Sequence, residues 1–532
     1  MGVCPVCGDV VHQHLGTHLR VRHGEEAFRS AVLNAKASGM PDAEIGATFG
    51  ISFRQLEQMI TETYGVNVSS LAHPRKKIRA WAPLDFREET TTVWSFKQRG
   101  NWATHDGRYR GNWSPYIPRN VILKYSRPGD LVLDYFVGGG TTAVEAKLLG
   151  RRCIAIDINP QAIQLTRENL SFLAPPLLDG GPVYEPETRI GDARDLSGIE
   201  PESVDLICAH PPYAGIVRYS AQVEGDLSSL PVPQFLEEMG NVARESWRVL
   251  KPGGKCVLLV GDTRRSRYIL PIGFQTIRVF LNAGFLLKEL VIKRQHNCKT
   301  TGFWYTRSLE YNFLLLAHEY LPVFEKPVGG SPQEVAPSPC AIFGEWSQGT
   351  VPRTKVENKD LETSSVWLFP AHLCESEIVR NLVNRFGAAG TRWAEVRLSP
   401  QPSGALTPIK EGDLPGAPFS LLYVHGGSEG ASPRSCLSAF LEAVDRIAEG
   451  CRYALLPGGF LAVETQDLRA DESLLPAGLL TVERLNRHTH LRLKEIAVVA
   501  PESPPALSPQ VGLQNSLQIV HRYLLIFRRE EG

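Results

Sequence analysis

Two loops in the first half of the chain have residue types suited to holding a nucleoside and an amino group. The apolar stretch 131–134 runs into a glycine-rich turn at 135–142, and the apolar stretch 153–156 ends at Asp157. Glycine lets the backbone approach a ligand closely, and an acid after the second strand can hold ribose hydroxyls. The pattern predicts a crevice for a nucleoside cofactor. The alternative is an ordinary strand–turn–helix unit whose glycines serve packing.

The second loop is His210-Pro211-Pro212-Tyr213, directly after the apolar stretch 204–209. Two prolines fix an extended loop and remove two N–H donors. Free carbonyl oxygens, a polar side chain and an aromatic ring could together hold an amino group on a planar base. As an isolated tetrapeptide it would most often be a simple turn. Its position after a strand and downstream of the glycine-rich loop favours the functional interpretation.

The N-terminus carries cysteines and histidines at the spacing of a metal site. The pattern is Cys4-x2-Cys7-x10-His18-x4-His23, which matches a tetrahedral site with two cysteine and two histidine ligands. So short a segment has too little core to fold without a metal, and we expect a structural Zn²⁺. His12 and His14 are alternative ligands in the same segment. The competing interpretation is a disordered tail with incidental histidines.

The elements that must position these residues can be read from periodicity. Apolar stretches alternate with helical ones across the middle of the chain, which predicts an α/β domain with a parallel sheet. Helical periodicity interrupted near Gly50, with Asp42 as a helix N-cap, predicts a helix-turn-helix. The predicted divisions are a zinc-finger-like segment at 1–28, a helix-turn-helix-like segment at 29–70, the α/β domain at 71–330, a linker at 331–361 and a second α/β domain at 362–532.

The second α/β region repeats features of the first. A Leu-x-Pro-Gly-Gly segment occurs at 250–254 and at 455–459, and each is followed by an apolar stretch and an aspartate, Asp262 or Asp467. These repeated sequence features predict a degenerate duplication of the first α/β domain. The alternative is that such turns and strands recur by chance. The second region has no glycine-rich cofactor loop, and its segment 421–427 has no Pro-Pro-Tyr. We therefore expect a non-catalytic copy.

Composition limits the classes of function. The 532 residues carry zero formal net charge and are 43% apolar, which excludes a wholly basic binder and a chain disordered throughout. No apolar run reaches the roughly 18 residues of a membrane span. The start of the chain lacks a signal-peptide pattern, and ten cysteines in so long a chain do not indicate a disulfide framework. We expect a cytoplasmic protein without a membrane partner.

Together, the two loops resemble those of the S-adenosylmethionine-dependent DNA amino-methyltransferases, which modify adenine N6 or cytosine N4. Phe136-x-Gly138-x-Gly140 is similar to their cofactor motif, and the loop from His210 to Tyr213 is similar to their catalytic Asp/Asn/Ser-Pro-Pro-Tyr/Phe motif. The resemblance covers roughly 80–326. It implies a Rossmann-like methyltransferase sheet, S-adenosyl-L-methionine as cofactor, double-stranded DNA as partner and a base flipped out of the helix.

The resemblance also implies roles for individual residues. The segment 112–118 would close over the methionine part of the cofactor, and Asp192 would approach its adenine amino group. The expected cofactor-binding residues are Pro115, Asp134, Phe136, Gly138, Gly140, Thr141, Asp157 and Asp192. The expected catalytic residues are His210, Pro211, Pro212 and Tyr213. His210 and the Pro211 carbonyl would accept hydrogen bonds from the amino group, and Tyr213 would stack on the base.

One position departs from the family pattern, because His210 stands where Asp, Asn or Ser is usual. A neutral imidazole accepts one hydrogen bond and a protonated one accepts none, so we expect activity to fall at low pH. The choice between adenine and cytosine stays open. Guanine N2 in RNA is an alternative substrate, although a helix-turn-helix suits the DNA major groove better than A-form RNA. A further alternative function is a DNA-binding regulator with an inactive methyltransferase domain. A restriction or defence system is a candidate partner.

Two other segments allow functional and structural interpretations. Arg264, Arg265 and Arg267 predict either phosphate contact or a solvated loop. The polar and aromatic segment 295–305 predicts either contact with a nucleic-acid strand or a buried aromatic hairpin.

Overall fold

The computed structural model describes most of the chain. The described residues are 2–11, 15–38, 40–52, 55–56, 59–60, 78–105, 109, 111–177, 180–214, 223–296, 302–329, 342–400, 407–408, 418–426, 432–503 and 516–530. The chain forms two compact units. The first comprises Met1–Glu88 with Gln98–Leu258, and the second comprises Glu89–Lys97 with Leu259–Gly532.

The helices and strands are numbered in chain order over the described residues. The helices are α1 (Leu15–Ala37), α2 (Asp42–Phe49), α3 (Tyr116–Tyr125), α4 (Thr141–Leu148), α5 (Pro160–Leu170), α6 (Val232–Val249), α7 (Ile272–Asn282), α8 (Gly302–Glu310), α9 (Cys374–Phe386), α10 (Pro433–Ala454) and α11 (Ala477–Leu485). The strands are β1 (Gly2–Val3), β2 (Val10–Val11), β3 (Val93–Ser95), β4 (Leu131–Asp134), β5 (Arg152–Asp157), β6 (Glu187–Ile190), β7 (Val204–Ala209), β8 (Leu250–Leu258), β9 (Thr263–Arg265), β10 (Tyr268–Leu270), β11 (Leu286–Arg294), β12 (His318–Glu325), β13 (Phe343–Thr350), β14 (Val366–Phe369), β15 (Arg392–Ser399), β16 (Thr407–Pro408), β17 (Phe419–Gly426), β18 (Leu455–Thr465), β19 (Leu468–Ala470), β20 (Ser473–Leu475), β21 (Leu491–Pro501) and β22 (Arg522–Arg529).

The N-terminal part of the first unit is a small hairpin, β1–β2, followed by α1 and α2. Gly24 has a non-helical backbone inside α1, so this helix is kinked. Helix α2 begins at Asp42 itself, and Pro41 takes the N-cap position that we expected for Asp42. Gly50 ends α2 in the left-handed conformation that favours glycine. Residues 55–56 and 59–60 are helical, and the rest of the predicted second helix lies outside the described residues.

The zinc-finger-like and helix-turn-helix-like segments share one hydrophobic core. Cys4 and Leu19 belong to the same buried cluster as Phe28, Ile45 and Phe49. A Cβ on Gly16 would lie 1.8 Å from the Phe49 carbonyl oxygen, so the start of α1 is pressed against the end of α2. The predicted boundary at residue 28 falls inside α1.

The remainder of the first unit contains five strands in the order β8-β7-β4-β5-β6, and all four neighbouring pairs are parallel. The central strands are fully buried, as Val132, Leu133 and Ile207 show, which suits continuous apolar runs covered by helices on both faces. Since all these strands are parallel, the loops that follow β4, β5 and β7 meet at one edge. This edge is where open α/β sheets bind ligands.

The second unit contains two related strand arrangements. In one, β11 is parallel to β3 and antiparallel to β12. In the other, an eight-stranded sheet has the order β14-β21-β22-β18-β17-β15-β13-β16, and β21 is likewise parallel to β14 and antiparallel to β22. The chain is thus α/β, as the sequence predicts. The expectation of a purely parallel sheet holds for β4 to β8 but not for β11 and β12.

Part of the predicted linker 331–361 is structured. Its residues Phe343–Thr350 form β13, which pairs with β15, and its residues before 342 lie outside the described part. Across the described residues, no helix combines the length and the apolar character needed to cross a membrane.

Candidate functional site

A cleft opens at the carboxyl ends of β4, β5 and β7 in the first unit. It encloses about 730 Å³, counting the part open to solvent. Six of the residues predicted from sequence line it, namely Phe136, Gly138, Asp157, Asp192, His210 and Pro212. The glycine-rich loop and the His-Pro-Pro-Tyr loop therefore border one cavity.

The glycine-rich loop closes against the segment that precedes α3. Gly138 has φ +53°, and a Cβ there would lie 2.8 Å from Tyr109 Cε1. The next amide, Gly139 N–H, donates to Asn112 Oδ1 at 3.1 Å. A side chain at position 138 would strain the backbone and displace Tyr109, so glycine keeps this wall of the cleft open.

Asp157 anchors the same loop from the next strand. Its carboxylate accepts hydrogen bonds from Gly138 N–H and Asn159 N–H, both at 2.9 Å. Burial raises the pKa of Asp157 to about 6, and the nearby charge of Asp226 also raises it. At neutral pH the carboxylate is thus mostly ionised and can accept hydrogen bonds from hydroxyl groups.

Four predicted cofactor residues do not line the cleft: Pro115, Asp134, Gly140 and Thr141. Asp134 is buried, accepts the Phe136 N–H at 3.0 Å and has its pKa raised by burial to about 7. A Cβ on Gly140 would lie 3.0 Å from Thr166 Cγ2, which indicates close helix packing. Pro115 occupies the N-cap of α3 and Thr141 is the first residue of α4.

Asp192 reaches the cleft in a fixed orientation. Arg194 donates hydrogen bonds to both of its carboxylate oxygens. The Nε is 2.9 Å from Oδ1 and 3.0 Å from Oδ2, and the Nη2 is 2.5 Å from Oδ2. The same guanidinium donates to Glu238 at 3.0 Å. A planar bidentate pair of this kind fixes geometry as well as charge, so Asp192 is prepositioned at the cleft wall.

The ring of His210 lies between two aromatic residues. Trp113 stacks on it with 5.6 Å between ring centroids and 21° between ring planes. Tyr213 meets it edge-on, and the Tyr213 Oη lies 3.0 Å from His210 Nε2. Pro212 lines the cleft, whereas Tyr213 and the buried Pro211 do not.

Sequence reasoning missed several cleft residues. The segment 112–118 was expected at the cofactor, but Pro115 was the residue chosen from it, whereas Asn112 and Trp113 line the cleft. Tyr109 and Asp226 had no local signal. Asp226 caps a short 3₁₀ helix by accepting the Ser228 N–H at 2.9 Å, and it lies close enough to Asp157 to influence its pKa.

The four predicted metal ligands converge near the N-terminus. The donor atoms of Cys4, Cys7, His18 and His23 all lie within 4.8 Å of one another. The Cys7 Sγ is 3.4 Å from His18 Nε2, and His23 Nε2 is buried without a hydrogen-bond partner. A buried nitrogen without a partner, beside two cysteine sulfurs and a second imidazole, fits a tetrahedral Zn²⁺. His12 and His14 lie outside the described residues.

Two surface interpretations from sequence change in the structure. Arg264 pairs with Glu495 at 2.5 Å and donates to the Leu314 carbonyl at 3.0 Å, so it does not sit in a solvated loop. Arg265 and Arg267 are exposed, and phosphate contact by them stays a prediction. In the segment 295–305, residues 297–301 are outside the described part. Trp304 lies on α8 and is 54% exposed, which argues against a buried aromatic hairpin.

Comparisons with known proteins find similarity over part of the chain. A family model described as DNA methylase matches residues 58–168. The tRNA (guanine(10)-N2)-dimethyltransferase of Methanothermobacter thermautotrophicus is 35% identical over 130 residues, covering 24% of this chain and 34% of that protein. The Type II methyltransferase M2.DpnII of Streptococcus pneumoniae is 35% identical over 104 residues, covering 18% of this chain and 38% of that protein.

A solved structure is also similar. The crystal structure of TrmN from Thermus thermophilus is 24% identical and covers 41% of this chain and 50% of that chain, with a TM-score of 0.27. The matched part spans little more than a third of the length of the two curated relatives. The family model and the curated relatives support an amino-methyltransferase.

Proposed function

We propose that this chain transfers a methyl group from S-adenosyl-L-methionine to an exocyclic amino group of a DNA base, cytosine N4 or adenine N6. The observation that carries the proposal is that one cleft is lined by both the glycine loop with Asp157 and by His210 with Pro212. A cofactor loop and an amino-group loop on one cavity bring a methyl donor and an acceptor nitrogen together. Much of the catalysis would then be orientation.

The cleft residues suit the cofactor. The close approach at Gly138 leaves space that a Cβ would fill, and the ionised Asp157 can hold ribose hydroxyls. Asp192, fixed by Arg194, can accept a hydrogen bond from an adenine amino group. When bound, the cofactor supplies a methyl group activated on a sulfonium.

The catalytic loop would act on the base. The exocyclic nitrogen is a poor nucleophile because its lone pair is delocalised into the ring. Hydrogen bonds from its hydrogens to His210 and to the Pro211 carbonyl would localise that lone pair. The nitrogen would then be positioned to accept the methyl group that the cofactor supplies, and the surplus amino proton would leave through His210 to solvent. A covalent nucleophile is not needed, and Cys208 is fully buried in β7 with its pKa raised by burial.

The N-terminal segments would provide DNA contact. Cys4, Cys7, His18 and His23 would hold a structural Zn²⁺, and the core that they share with α2 would tie the finger to the helix-turn-helix. A helix-turn-helix places its second helix in the DNA major groove. We therefore favour double-stranded DNA as the partner.

A second candidate function is methylation of a guanine N2 in RNA. The observation that favours it is the match to a tRNA (guanine(10)-N2)-dimethyltransferase at 35% identity over 130 residues. Both candidates use the same cofactor and the same catalytic loop, so only the identity of the modified nucleoside separates them.

We also propose that the region 362–532 is a non-catalytic copy of the first α/β domain. Strands β17 and β18 pair with the same register shift as β7 and β8. When the two regions are aligned on their Pro-Gly-Gly turns, the pairing of the neighbouring strands places His425 at the position of His210. The two copies differ in two respects. Gly426 stands at the position that Pro211 has in the first copy. Strand β13 is antiparallel to its neighbour β15, whereas β5 is parallel to β4.

Nucleoside mass spectrometry tests the proposed function. Plasmid DNA and total RNA would be taken from a methylation-free host that expresses the intact chain, and from a matched host that expresses His210→Ala. N4-methylcytosine or N6-methyladenine found only with the intact chain supports the DNA enzyme. A methylated guanine in RNA alone supports the second candidate. Neither product, from a folded protein that binds S-adenosylmethionine, contradicts both.

A further inference from the structure

Three arginines of the second unit come together from different elements. Arg267 lies in the turn between β9 and β10, Arg492 lies on β21 and Arg528 lies on β22. We propose that these three guanidiniums, here called the arginine surface, contact phosphate groups of double-stranded DNA. Arg267 and Arg492 are exposed and Arg528 is half-buried, so a partner has access to them. The choice of DNA rests on the proposed function, whereas the preference for phosphate rests on charge and geometry.

Two members of the arginine surface stand directly opposite each other. Arg492 and Arg528 are partners in the antiparallel pair β21–β22, and like charges in this arrangement destabilise a sheet. One aromatic ring holds both side chains, since the Arg492 Cζ is 3.9 Å from the centre of the Tyr268 ring and Arg528 Nη1 is 3.4 Å from Tyr268 Oη. The sheet therefore keeps two positive charges together at a cost that a bound anion would remove.

The third member is fixed at the tip of a hairpin. Ser266 and Arg267 have φ of +50° and +71° in the turn between β9 and β10. Glycine, asparagine and aspartate are preferred in such turns, so an arginine there stores backbone strain. The Arg267 carbonyl oxygen accepts hydrogen bonds from Arg264 Nη1 at 3.1 Å and from Lys494 Nζ at 2.7 Å. The turn is thus tied to β21, next to Arg492.

The nearby acids do not balance the charge of the arginine surface. Within the described part of the chain, no carboxylate forms an ion pair with any of its three members. Glu495 pairs with Arg264, and Glu530 accepts a hydrogen bond from the Tyr268 hydroxyl at 2.5 Å. Burial lowers the pKa of Lys494 to about 8, and two members of the arginine surface contribute to the decrease, while Glu495 acts in the opposite sense. The surface is therefore suited to an anionic partner.

The chemistry of the guanidinium favours phosphate as that anion. Its N–H donors form a fixed fork that matches two phosphate oxygens. Double-stranded DNA carries one negative charge per about 1.7 Å of helix axis, so neighbouring arginines can each meet a phosphate. Such contacts position a duplex and do not read its sequence. The arginine surface would thus add affinity and orientation, and base recognition would come from other segments.

The test measures binding of a fluorescein-labelled DNA duplex to the full chain by anisotropy over a series of NaCl concentrations. Arg267→Gln, Arg492→Gln and Arg528→Gln each remove one charge and keep most of the side-chain length. We expect each to lower the slope of log Kd against log salt by about 0.9 and to raise the Kd at low salt at least about threefold. Arg380→Gln removes the same charge from a surface pair on α9 and should leave the slope unchanged. Equal slopes in all four variants and the wild type would overturn the inference.

A charge reversal separates binding from folding. Arg492→Glu places an opposite charge across from Arg528, so it should raise the free energy of unfolding in urea titrations. The same variant should bind the duplex more weakly than Arg492→Gln does. A lower free energy of unfolding in Arg492→Glu would show that the arginine serves the fold, and it would contradict the inference.

An unlabelled RNA hairpin serves as the second probe. Tighter binding of the hairpin than of the duplex, with the same dependence on the three arginines, overturns the choice of DNA. Binding requires no methyl transfer, so the two proposals fail separately. Methylated DNA with unchanged salt slopes contradicts this inference alone. Reduced slopes without any methylated base support the arginine surface and contradict the proposed function alone.

Discussion

His318 and His521 make equivalent hydrogen bonds, but each uses a hydroxyl from the other α/β region. His318 Nδ1 is 2.7 Å from Ser365 Oγ, and His521 Nδ1 is 2.8 Å from Thr92 Oγ1. The Nε2 atom of each ring contacts the tyrosine two residues later, at 3.1 and 3.0 Å. Reciprocal contacts of this kind are what a two-fold interface between identical subunits produces.

Two aspartates extend this relationship. Asp262 accepts the Gly273 N–H at 2.9 Å, and Asp467 accepts the Gly478 N–H at 3.3 Å. Each carboxylate also accepts from the tyrosine that contacts the histidine of its own region, at 3.1 Å in both cases. The repeat of the Pro-Gly-Gly turns in the sequence is thus accompanied by a repeat of buried polar contacts, which supports the proposed duplication.

Two buried ion pairs inside the second unit should be costly to break by removing one partner alone. Arg264 pairs with Glu495, and Arg469 pairs with Glu289 at 2.6 Å. Both glutamate side chains are 1% exposed, so removing an arginine leaves a buried charge without its partner. We expect Arg264→Ala and Arg469→Ala each to lower the free energy of unfolding by about 3–5 kcal/mol in urea titrations.

The matched control for these variants is Arg380→Ala. Arg380 pairs with Glu377 on the surface of α9, with 42% of its side chain exposed, and such pairs contribute about 0–1 kcal/mol. A comparable loss in all three variants would contradict the assignment of the buried pairs. Replacing Arg264 with Met and Glu495 with Gln together should recover part of the loss, because neither position of the pair then carries an unpaired charge.

Removing the metal should unfold the N-terminal core but leave the cofactor cleft able to bind. Cys4 and Leu19 are in the cluster that buries Phe28, Ile45 and Phe49, so loss of a ligand exposes residues from both segments. We expect Cys4→Ser to retain no zinc and to be cleaved within 1–60 by limited proteolysis. Elemental analysis and calorimetric titration with S-adenosylmethionine check the two parts separately.

The control for the metal prediction is Cys436→Ser, which alters a buried cysteine in the second unit. It should bind zinc as the wild type does. Zinc retained by Cys4→Ser, or normal DNA binding by the zinc-free chain, would contradict the role assigned to the site.

The cleft was predictable from sequence because parallel strands determine where their carboxyl ends lie. Gly138, Asp157 and His210 follow three different strands, yet a parallel βαβ arrangement brings all three to one edge. Their residue types are the basis of the chemistry that we propose. Pro115 and Asp134 were expected to bind the cofactor but do not line the cleft. Proximity in sequence to a binding loop does not tell whether a side chain points into the cleft or away from it.

Other features depend on partners that are distant in sequence. Arg264 was interpreted from its charge alone, whereas its environment is set by Glu495 on β21. Strand β13 is rich in polar residues and glycine, and it forms because β15 supplies a ladder to pair with. Asp226 reaches the cleft only through tertiary folding, so no local pattern marks it.

Gly138→Ala should weaken cofactor binding without unfolding the chain. The alanine would need φ +53° and would place Cβ 2.8 Å from Tyr109 Cε1, so the loop or Tyr109 must move into the cleft. We expect the Kd for S-adenosylmethionine to rise at least about tenfold, equivalent to 1.4 kcal/mol. Gly198→Ala is the control, because the nearest atom to its Cβ is 3.7 Å away. An unchanged Kd in Gly138→Ala would show that the cofactor does not approach this wall.

Cofactor binding should weaken as pH falls through about 6, because Asp157 then becomes protonated. Burial raises its pKa to about 6, with Asp226 adding to the effect, so the carboxylate is charged at pH 7.5 and half protonated near pH 6. In the unfolded chain an aspartate titrates near 3.9. As the pH falls, Asp157 is therefore protonated in the folded chain before it is protonated in the unfolded chain. Lowering the pH from 6 to 4 thus increases the contribution of this group to the free energy of unfolding. A loss of stability caused by protonation of Asp157 therefore cannot explain weaker cofactor binding between pH 6 and 4.

Calorimetric titration with S-adenosylmethionine from pH 5 to 8 checks this prediction. The Kd should be constant above about pH 7 and should approach a tenfold rise for each pH unit below 6. Asp226→Asn removes the neighbouring negative charge, so the pKa of Asp157 falls and the transition moves to lower pH. Asp157→Asn should abolish the pH dependence and bind weakly throughout. If the transition stays at the same pH in Asp226→Asn, the titrating group is a different one, and Asp157 does not hold the cofactor through its charge.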